Sequence, residues 1–410
     1  MPDTPHNAPD LPAYDGPPDY RVVGRHGVYP ETSHDEIARF NFLAQMNRHL
    51  STQVMPGVGE AFEQRVAPAF QKSHDRTFKD RHEIRQALTK DPMWQWWSAM
   101  RRSTMESRQQ AGRWVTLRQA EALNAKVGEL TKGDKRLKLN PNMKLPRGVE
   151  AIDHHCMPGS YHTELVPGDV TGPANYDAGI FATTGGMLGR YNDGGGVAVA
   201  EWVKRNMGPD FKPKRILDIG CGMGHNVLPI AAAFPDAEII AVDVGAPMLR
   251  YGLARAKTMG IENVTFVQDD VSDLKQFEAE SFDWIQSTMF LHETSYKTMP
   301  KIFAETQRLL KPGGIVLHVE QPQYDDKMSL YEQAMRDWDA FYNNEPFWTK
   351  MHEVDVDAWL ADSGFGANAL IHDGVTAVID KNVFPDAADD ESEDFGRKAA
   401  WHVVGAKKVA

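Results

Sequence analysis

The chain has almost no cysteine. Cys156 and Cys221 stand far apart among 410 residues, which excludes a disulfide framework and fits a reducing, cytoplasmic setting. Long apolar runs are missing as well, since no stretch approaches the ~20 consecutive apolar residues of a membrane-spanning helix. The stretch from Met1 to Pro18 is rich in Pro and Asp without an apolar core, so it does not read as a signal peptide. Excess positive charge is also absent. A formal net charge of -12 argues against a nucleic-acid partner, because phosphate neutralisation supplies most of that affinity. One basic run (Lys132, Lys135, Arg136, Lys138, Lys144, Arg147) reads either as a solvated linker or as a meeting point for an anionic substrate. What remains is an ordinary globular composition, 41% hydrophobic and 25% charged, long enough for two domains.

Residues 1–32, full of Pro and Gly, are expected to be disordered or loosely attached. Ser33 followed by Glu36 is a capping-box signature, and Ile37, Phe40, Leu43 and Ala44 then recur at helical spacing. Further helices are expected at 58–72, 80–89, 93–111 and 116–130, making 33–130 a helical lid or a surface for homodimerisation. The apolar positions there, Trp94, Trp97, Met100, Trp114 and Leu117 among them, read as helix-packing core. Residues 131–175 form a long connector. After Lys214 short apolar strands (215–219, 238–243, 264–268, 282–287, 315–320) alternate with helical patterns at 225–233, 246–259 and 296–310. That rhythm marks a parallel sheet with helices on both faces, an α/β doubly wound domain over 176–410. The acidic run 386–394 reads as a solvated loop.

The strongest signal is Ile216-Leu217-Asp218-Ile219-Gly220-Cys221-Gly222-Met223-Gly224-His225, an apolar strand running through three glycines into a helix. The glycines allow a tight turn and close approach of a ligand to the backbone. Their spacing is G-x-G-x-G rather than the G-x-G-x-x-G of dinucleotide sites. Asp218 would oppose a pyrophosphate but suits the amino group of S-adenosylmethionine. Asp243 closes the next strand, where an acid accepts both ribose hydroxyls. Asp270, followed by Val271, ends the third strand, where it can accept from the adenine amino group. Val244, Met248 and Tyr191 complete the expected cofactor contacts.

Residues 215–320 resemble the class I, Rossmann-like S-adenosylmethionine-dependent methyltransferases. The matching pieces are the glycine loop just quoted, Val242-Asp243-Val244 with Pro247-Met248-Leu249, and Asp269-Asp270-Val271. Phe282-Asp283-Trp284-Ile285 and Leu309-Leu310-Lys311-Pro312-Gly313-Gly314 match too. The resemblance covers about half the chain and speaks for the cofactor rather than the substrate. It implies a seven-stranded, mostly parallel sheet with an antiparallel last hairpin, for which Gly374–Ile379 and Trp401–Gly405 are the candidate strands. Leu291-His292-Glu293-Thr294 and the helical N-terminal region are also similar to some C-methylating domains of polyketide synthases, a few of which use a mononuclear metal.

The fourth strand runs into His292 and Glu293, the best-placed titratable pair for methyl transfer to an oxygen or carbon nucleophile of a small-molecule substrate. Such a nucleophile must lose a proton, and His292 is the candidate base; a structural role for it stays open, and Glu293 reads as its polar partner. Asp153, His292 and Gln323 are the candidate ligands of a divalent metal that would bind an acidic acyl group. The aromatic stretch 338–348, within an insertion near 324–350, reads as substrate walls or as core. Two rival functions remain: a dinucleotide-dependent oxidoreductase, and a cofactor-binding protein without catalysis.

Overall fold

The computed structural model describes residues 16–375, 380–385 and 401–409. Residues 1–15, the acidic run 386–394 and residues 376–379 of one candidate strand lie outside the described residues.

Eight strands make one sheet: β1 (Leu137–Lys138), β2 (Arg215–Ile219), β3 (Glu238–Asp243), β4 (Val264–Gln268), β5 (Phe282–Thr288), β6 (Leu310–Glu320), β7 (Leu370–Val375) and β8 (Trp401–Lys407). Their order is β1-β4-β3-β2-β5-β6-β8-β7. Only β8 runs against its neighbours, β6 and β7. The expected seven strands with a reversed last hairpin are therefore joined by an eighth. Its source is the connector, where Leu137 and Lys138 pair in parallel with Phe266 and Val267. Two residues carry too short a periodicity to be read from sequence.

Alternation sorts the strand side chains into two cores. Ile216, Ile239 and Ala241 point to one face, where they meet α4 (Gly194–Asn206) and α5 (Val227–Ala233). Leu217, Ile219, Ile240 and Val242 point to the other, under α7 (Met299–Leu309). This double covering explains why the strands read as continuous apolar runs. Between β3 and β4 lies α6 (Ala246–Thr258).

The N-terminal part opens with α1 (His34–His49), whose capping box is complete: Glu36 N–H donates to Ser33 Oγ, and Ser33 N–H to Glu36 Oε2. The helix continues to His74 through two π-helical stretches, Leu50–Val54 and Phe62–Val66. Each ends just before a proline, Pro56 or Pro68. A proline has no N–H to give the carbonyl four residues back and crowds it, and local widening relieves that clash. Then comes α2 (Pro92–Leu117), which crosses α3 (Thr171–Gly179) so closely that a Cβ at Gly112 would stand 2.1 Å from Asn175 Oδ1.

Two expectations about this region are corrected. Residues 16–32 are not loose: Tyr20, Val23 and Tyr29 are buried against Phe40, Leu43, Ala111 and Phe181. Aromatic anchors outweigh a composition rich in turn formers. The helices of 33–130 pack directly on the sheet domain, because Leu123 and Val127 share one core with Met223, Met248 and Tyr251. Trp94 and Trp97 pack with Tyr342 and Trp338, so this end of the aromatic insertion is core, while Phe341 is 45% exposed and Phe347 faces a cavity. Trp114 departs from its expected place and is 66% exposed.

Candidate active site

Strands β2 to β5 end at one edge of the sheet, where ligands bind in open α/β folds. Gly220 (φ +70°), Gly222 (+52°) and Gly224 (+89°) take backbone conformations that a side chain would strain. Gly220 must be glycine for a second reason, since a Cβ there would lie 2.1 Å from the Phe290 ring. Gly222 faces open space, room for a ligand to lie against the backbone. Gly224 instead packs under the loop, toward Leu228 and Phe266.

Asp243 accepts from Gly222 N–H (2.9 Å) and Gly245 N–H (2.8 Å), and burial raises its carboxyl to about 6 despite those bonds. Asp218 lies beneath the loop, 2% exposed, with one oxygen accepting from the Gln286 amide and Oδ2 without a partner. Burial pushes its carboxyl well above the usual range. A buried acceptor left orphaned costs about 1–3 kcal/mol, so a donor arriving there is favoured. Asp270 turns one oxygen to Ser272 N–H at 2.9 Å.

The glycine loop, Asp243 and Asp270 open on a cavity of about 1150 Å³, which Asp218 beneath the loop does not line. This volume exceeds the roughly 300–1,000 Å³ of an ordinary small-molecule pocket and is room enough for two small molecules. Gly220, Gly222, Asp243, Val244, Met248, Asp270 and Val271 line it, as do His292 and Glu293. The opposite wall comes from the N-terminal helices: Asn47 and Arg48 of α1, Ser51 and Thr52 of the π-helical stretch, and Arg101 of α2. Tyr191 is absent from the lining. Its ring lies against Gly24, where a Cβ would come within 2.5 Å of it, so this expected cofactor contact instead clasps the N-terminal segment.

At the β5 edge a chain of alternating carboxylates and imidazoles forms the chemically charged part of the cavity. His292 is 2% exposed; its Nδ1 sits 2.7 Å from Glu320 Oε2, and its Nε2 is 3.6 Å from Glu345 Oε2. Burial alone would lower its pKa, but Glu320, Glu345 and Glu293 outweigh burial and raise it to about 9. Glu345 Oε1 pairs with His155 Nδ1 at 2.8 Å, and His155 Nε2 pairs with Glu293 Oε1 at 3.0 Å. Tyr161 O–H donates to the same Glu293 oxygen at 2.7 Å. Burial would raise Glu293, yet the neighbouring histidines hold it at about 2, so it stays an anion, too weak a base to drive proton removal near neutral pH. His155, held between two carboxylates, is raised well above the usual imidazole range although burial opposes it. It sits at φ +53° beside Cys156 at +56°. Two adjacent left-handed residues other than glycine store backbone strain, and such strain persists where the surroundings over-determine it. Here the His155 carbonyl is also gripped by the Gln109 amide at 2.9 Å.

The expected metal ligands do not assemble. Asp153 is exposed and caps its own loop by accepting from Gly159 N–H, while Gln323 donates to the carbonyls of Val354 and Met351. His292 is engaged by carboxylates. Among the described residues no group of three or more His, Cys, Asp or Glu side chains is arranged to hold a metal ion. Asp153 is spent on its own turn and Gln323 on the carbonyls of Met351 and Val354, so neither is left to join His292.

Three members of the charged chain were not singled out from sequence. Glu320 comes near only through the strand register: β6 pairs Val319 with Thr288, so the next residue stands beside the loop that carries His292. His155 lies two residues after Asp153 in the connector, and its role depends on partners far along the chain. Glu345 lies in the aromatic insertion, where nothing local marks it.

The methyltransferase-domain family matches residues 216–314. Curated relatives include the fatty-acid O-methyltransferase of Mycolicibacterium smegmatis, 30% identical over 31% of this chain and 44% of that protein. The malonyl-[acyl-carrier protein] O-methyltransferase of Methylococcus capsulatus is 36% identical over 27% and 38% of the two chains. The trans-aconitate 2-methyltransferase of Deinococcus radiodurans is 31% identical over 30% and 43%. The chain thus spans less than half the length of these relatives. Among solved structures, the phosphoethanolamine N-methyltransferase 2 of Haemonchus contortus superposes on 57% of each chain at 19% identity, with a TM-score of 0.39. Among the described residues no helix is long and apolar enough to cross a membrane.

Proposed function

We propose that the whole chain, whose residues 216–314 match the methyltransferase-domain family, is a class I, S-adenosylmethionine-dependent methyltransferase that transfers a methyl group to an oxygen or carbon nucleophile of a small-molecule acceptor. One observation carries the reading: the glycine loop, Asp243 and Asp270 share a single cavity with His292 and Glu293. Asp218 would hold the cofactor's amino group, Asp243 its ribose hydroxyls and Asp270 its adenine amino group. Val244, Met248 and Val271 supply apolar walls. The orphaned Asp218 oxygen and the open space at Gly222 fit that group. When bound, it supplies an electrophilic methyl carbon on a sulfonium.

The chain's own part is to bring an acceptor to that carbon and to take its proton. His292 Nε2 is the group for this, because Nδ1 is committed to Glu320. Glu320 fixes the ring and stabilises the imidazolium formed on proton transfer. Glu293 stays ionised and, with Tyr161 and His155, shapes the floor. The helical wall excludes water from the displacement.

A second reading follows from the high pKa of His292. As an imidazolium it would orient an acceptor that is already an anion, such as a carboxylate, and no base would be needed. Titration calorimetry with S-adenosylhomocysteine followed by an acceptor panel tests the main proposal. Binding with turnover of a hydroxylated or carbon acid supports it; no cofactor binding sinks it. His292→Ala should leave cofactor affinity within a few-fold and cut turnover about 10²-fold or more.

A further inference from the structure

Behind the glycine loop lies a buried cluster that methyl transfer does not use. Asp177 of α3 is 1% exposed. Its Oδ1 accepts from His225 Nε2 at 2.8 Å, and its Oδ2 accepts from His26 Nε2 at 2.7 Å and from Tyr251 O–H at 3.0 Å. His225 is the residue directly after Gly224, and unlike the other members of this cluster it lines the cavity. Its second ring nitrogen, Nδ1, makes no hydrogen bond within the described residues.

We propose that His225 is the anion-binding residue of the cofactor site and receives the carboxylate of the cofactor's amino-acid end. This rests on the S-adenosylmethionine reading above. In that reading Asp243 and Asp270 take the ribose and adenine, so the amino-acid end falls at the β2 end with Asp218. A carboxylate attached to the same carbon as the amino group must then find a donor close by, in a pocket lined by the acids Asp243 and Asp270, with Asp218 beneath the loop. The other cavity-lining groups that carry or can carry positive charge belong elsewhere: Arg48 and Arg101 on the helical side, Arg147 on the connector, and His154, His155 and His292 among the β5 carboxylates. Of this set only His225 belongs to the glycine loop. Asp177 fixes its ring, so Nε2–H points inward and Nδ1 is left for the ligand. Without a ligand, burial holds the His225 pKa below its usual value; Arg255 and His26 add to that, and Asp177 opposes it. The Tyr176 ring packs alongside. An anion at Nδ1 pushes the balance the other way and draws a proton onto the ring.

The test is titration calorimetry of the full chain near pH 7 in buffers of different ionisation enthalpy, which reads protons taken up per ligand. Two probes are compared, S-adenosylhomocysteine and 5′-methylthioadenosine, which lacks the amino-acid end. Asp218, whose carboxyl is raised, can release a proton to solvent when the cofactor's ammonium arrives, so the readout is the difference between wild type and His225→Gln. The expected result is a loss of proton uptake in His225→Gln with S-adenosylhomocysteine, together with an affinity loss of about tenfold or more. The same variant should bind 5′-methylthioadenosine within about twofold of wild type, which also certifies its fold. Equal loss of both probes, or no loss of either, overturns the proposal. If neither probe binds wild-type protein, the cofactor reading itself has failed.

Discussion

Replacing Glu320 with glutamine should move the pH dependence of catalysis, and by an amount the site itself sets. In the resting site His292 has a pKa of about 9, so at pH 7 only about one imidazole in a hundred is free to act as a base. The sign follows: a raised imidazole pKa leaves the base form scarce below it and complete above it. The rate constant kcat/KM, which reports the free enzyme, should therefore climb about tenfold per pH unit up to about 9 and then level. Burial pulls the pKa down, and the 2.7 Å contact with Glu320 is the main counterweight. An opposite charge that close moves a pKa by about 1–3, so Glu320→Gln should bring the limb down to roughly 6–8. Its plateau should also fall, because the imidazolium formed on proton transfer has lost its partner. Two assays check this: kcat/KM against pH with a turned-over acceptor, and direct NMR titration of the His292 ring. A wild-type rate that falls through pH 9 would refute the base assignment and favour the imidazolium that orients an anion. A His292 titration unmoved by Glu320→Gln would refute the electrostatic argument itself.

Further perturbations have defined outcomes. Asp243→Ala removes the acid expected to hold the ribose, and should weaken S-adenosylhomocysteine by about 10²-fold in calorimetry, since bonds to a charged group contribute roughly 1.5–3 kcal/mol. His155→Phe leaves Glu293 and Glu345 buried without their shared cation, and should cost about 3–5 kcal/mol in denaturant unfolding. Should it instead be neutral, the two carboxylates are not held apart by His155. Glu36→Ala breaks the capping box and the paired bonds from Arg118; a loss of about 1–2 kcal/mol in thermal unfolding is expected with turnover unchanged.

The parts of the site that were legible in sequence are those in which local geometry dictates the residue. Three glycines must be glycine because their φ is positive or a ring sits on them, and Asp243 and Asp270 stand at strand ends that the alternation of patterns already marks. His292 and Glu293 followed from the same logic. Its carboxylate partners were invisible because their contacts join residues 28 and 53 positions away, through a strand register and an insertion. Tyr191 was misread because a position just ahead of α4 says nothing about which way a ring turns, and here Gly24 gives it a flat seat. The N-terminal segment was misread for the opposite reason: its prolines and glycines are plain in the sequence, while the burial of Tyr20 and Tyr29 depends on helices far along the chain. The eighth strand was too short to leave a pattern.

That two-residue strand has a consequence for solubility. Without β1, the outer side of β4 would present a row of unpaired N–H and C=O groups to any passing chain, a template for sheet-to-sheet association. Leu137 and Lys138 close part of that row, and the exposed lysine at the new rim, with Lys135 before it, gives an approaching strand a charge to bury. The connector thus serves as a guard on an otherwise open sheet, protecting the protein from its own copies at high concentration.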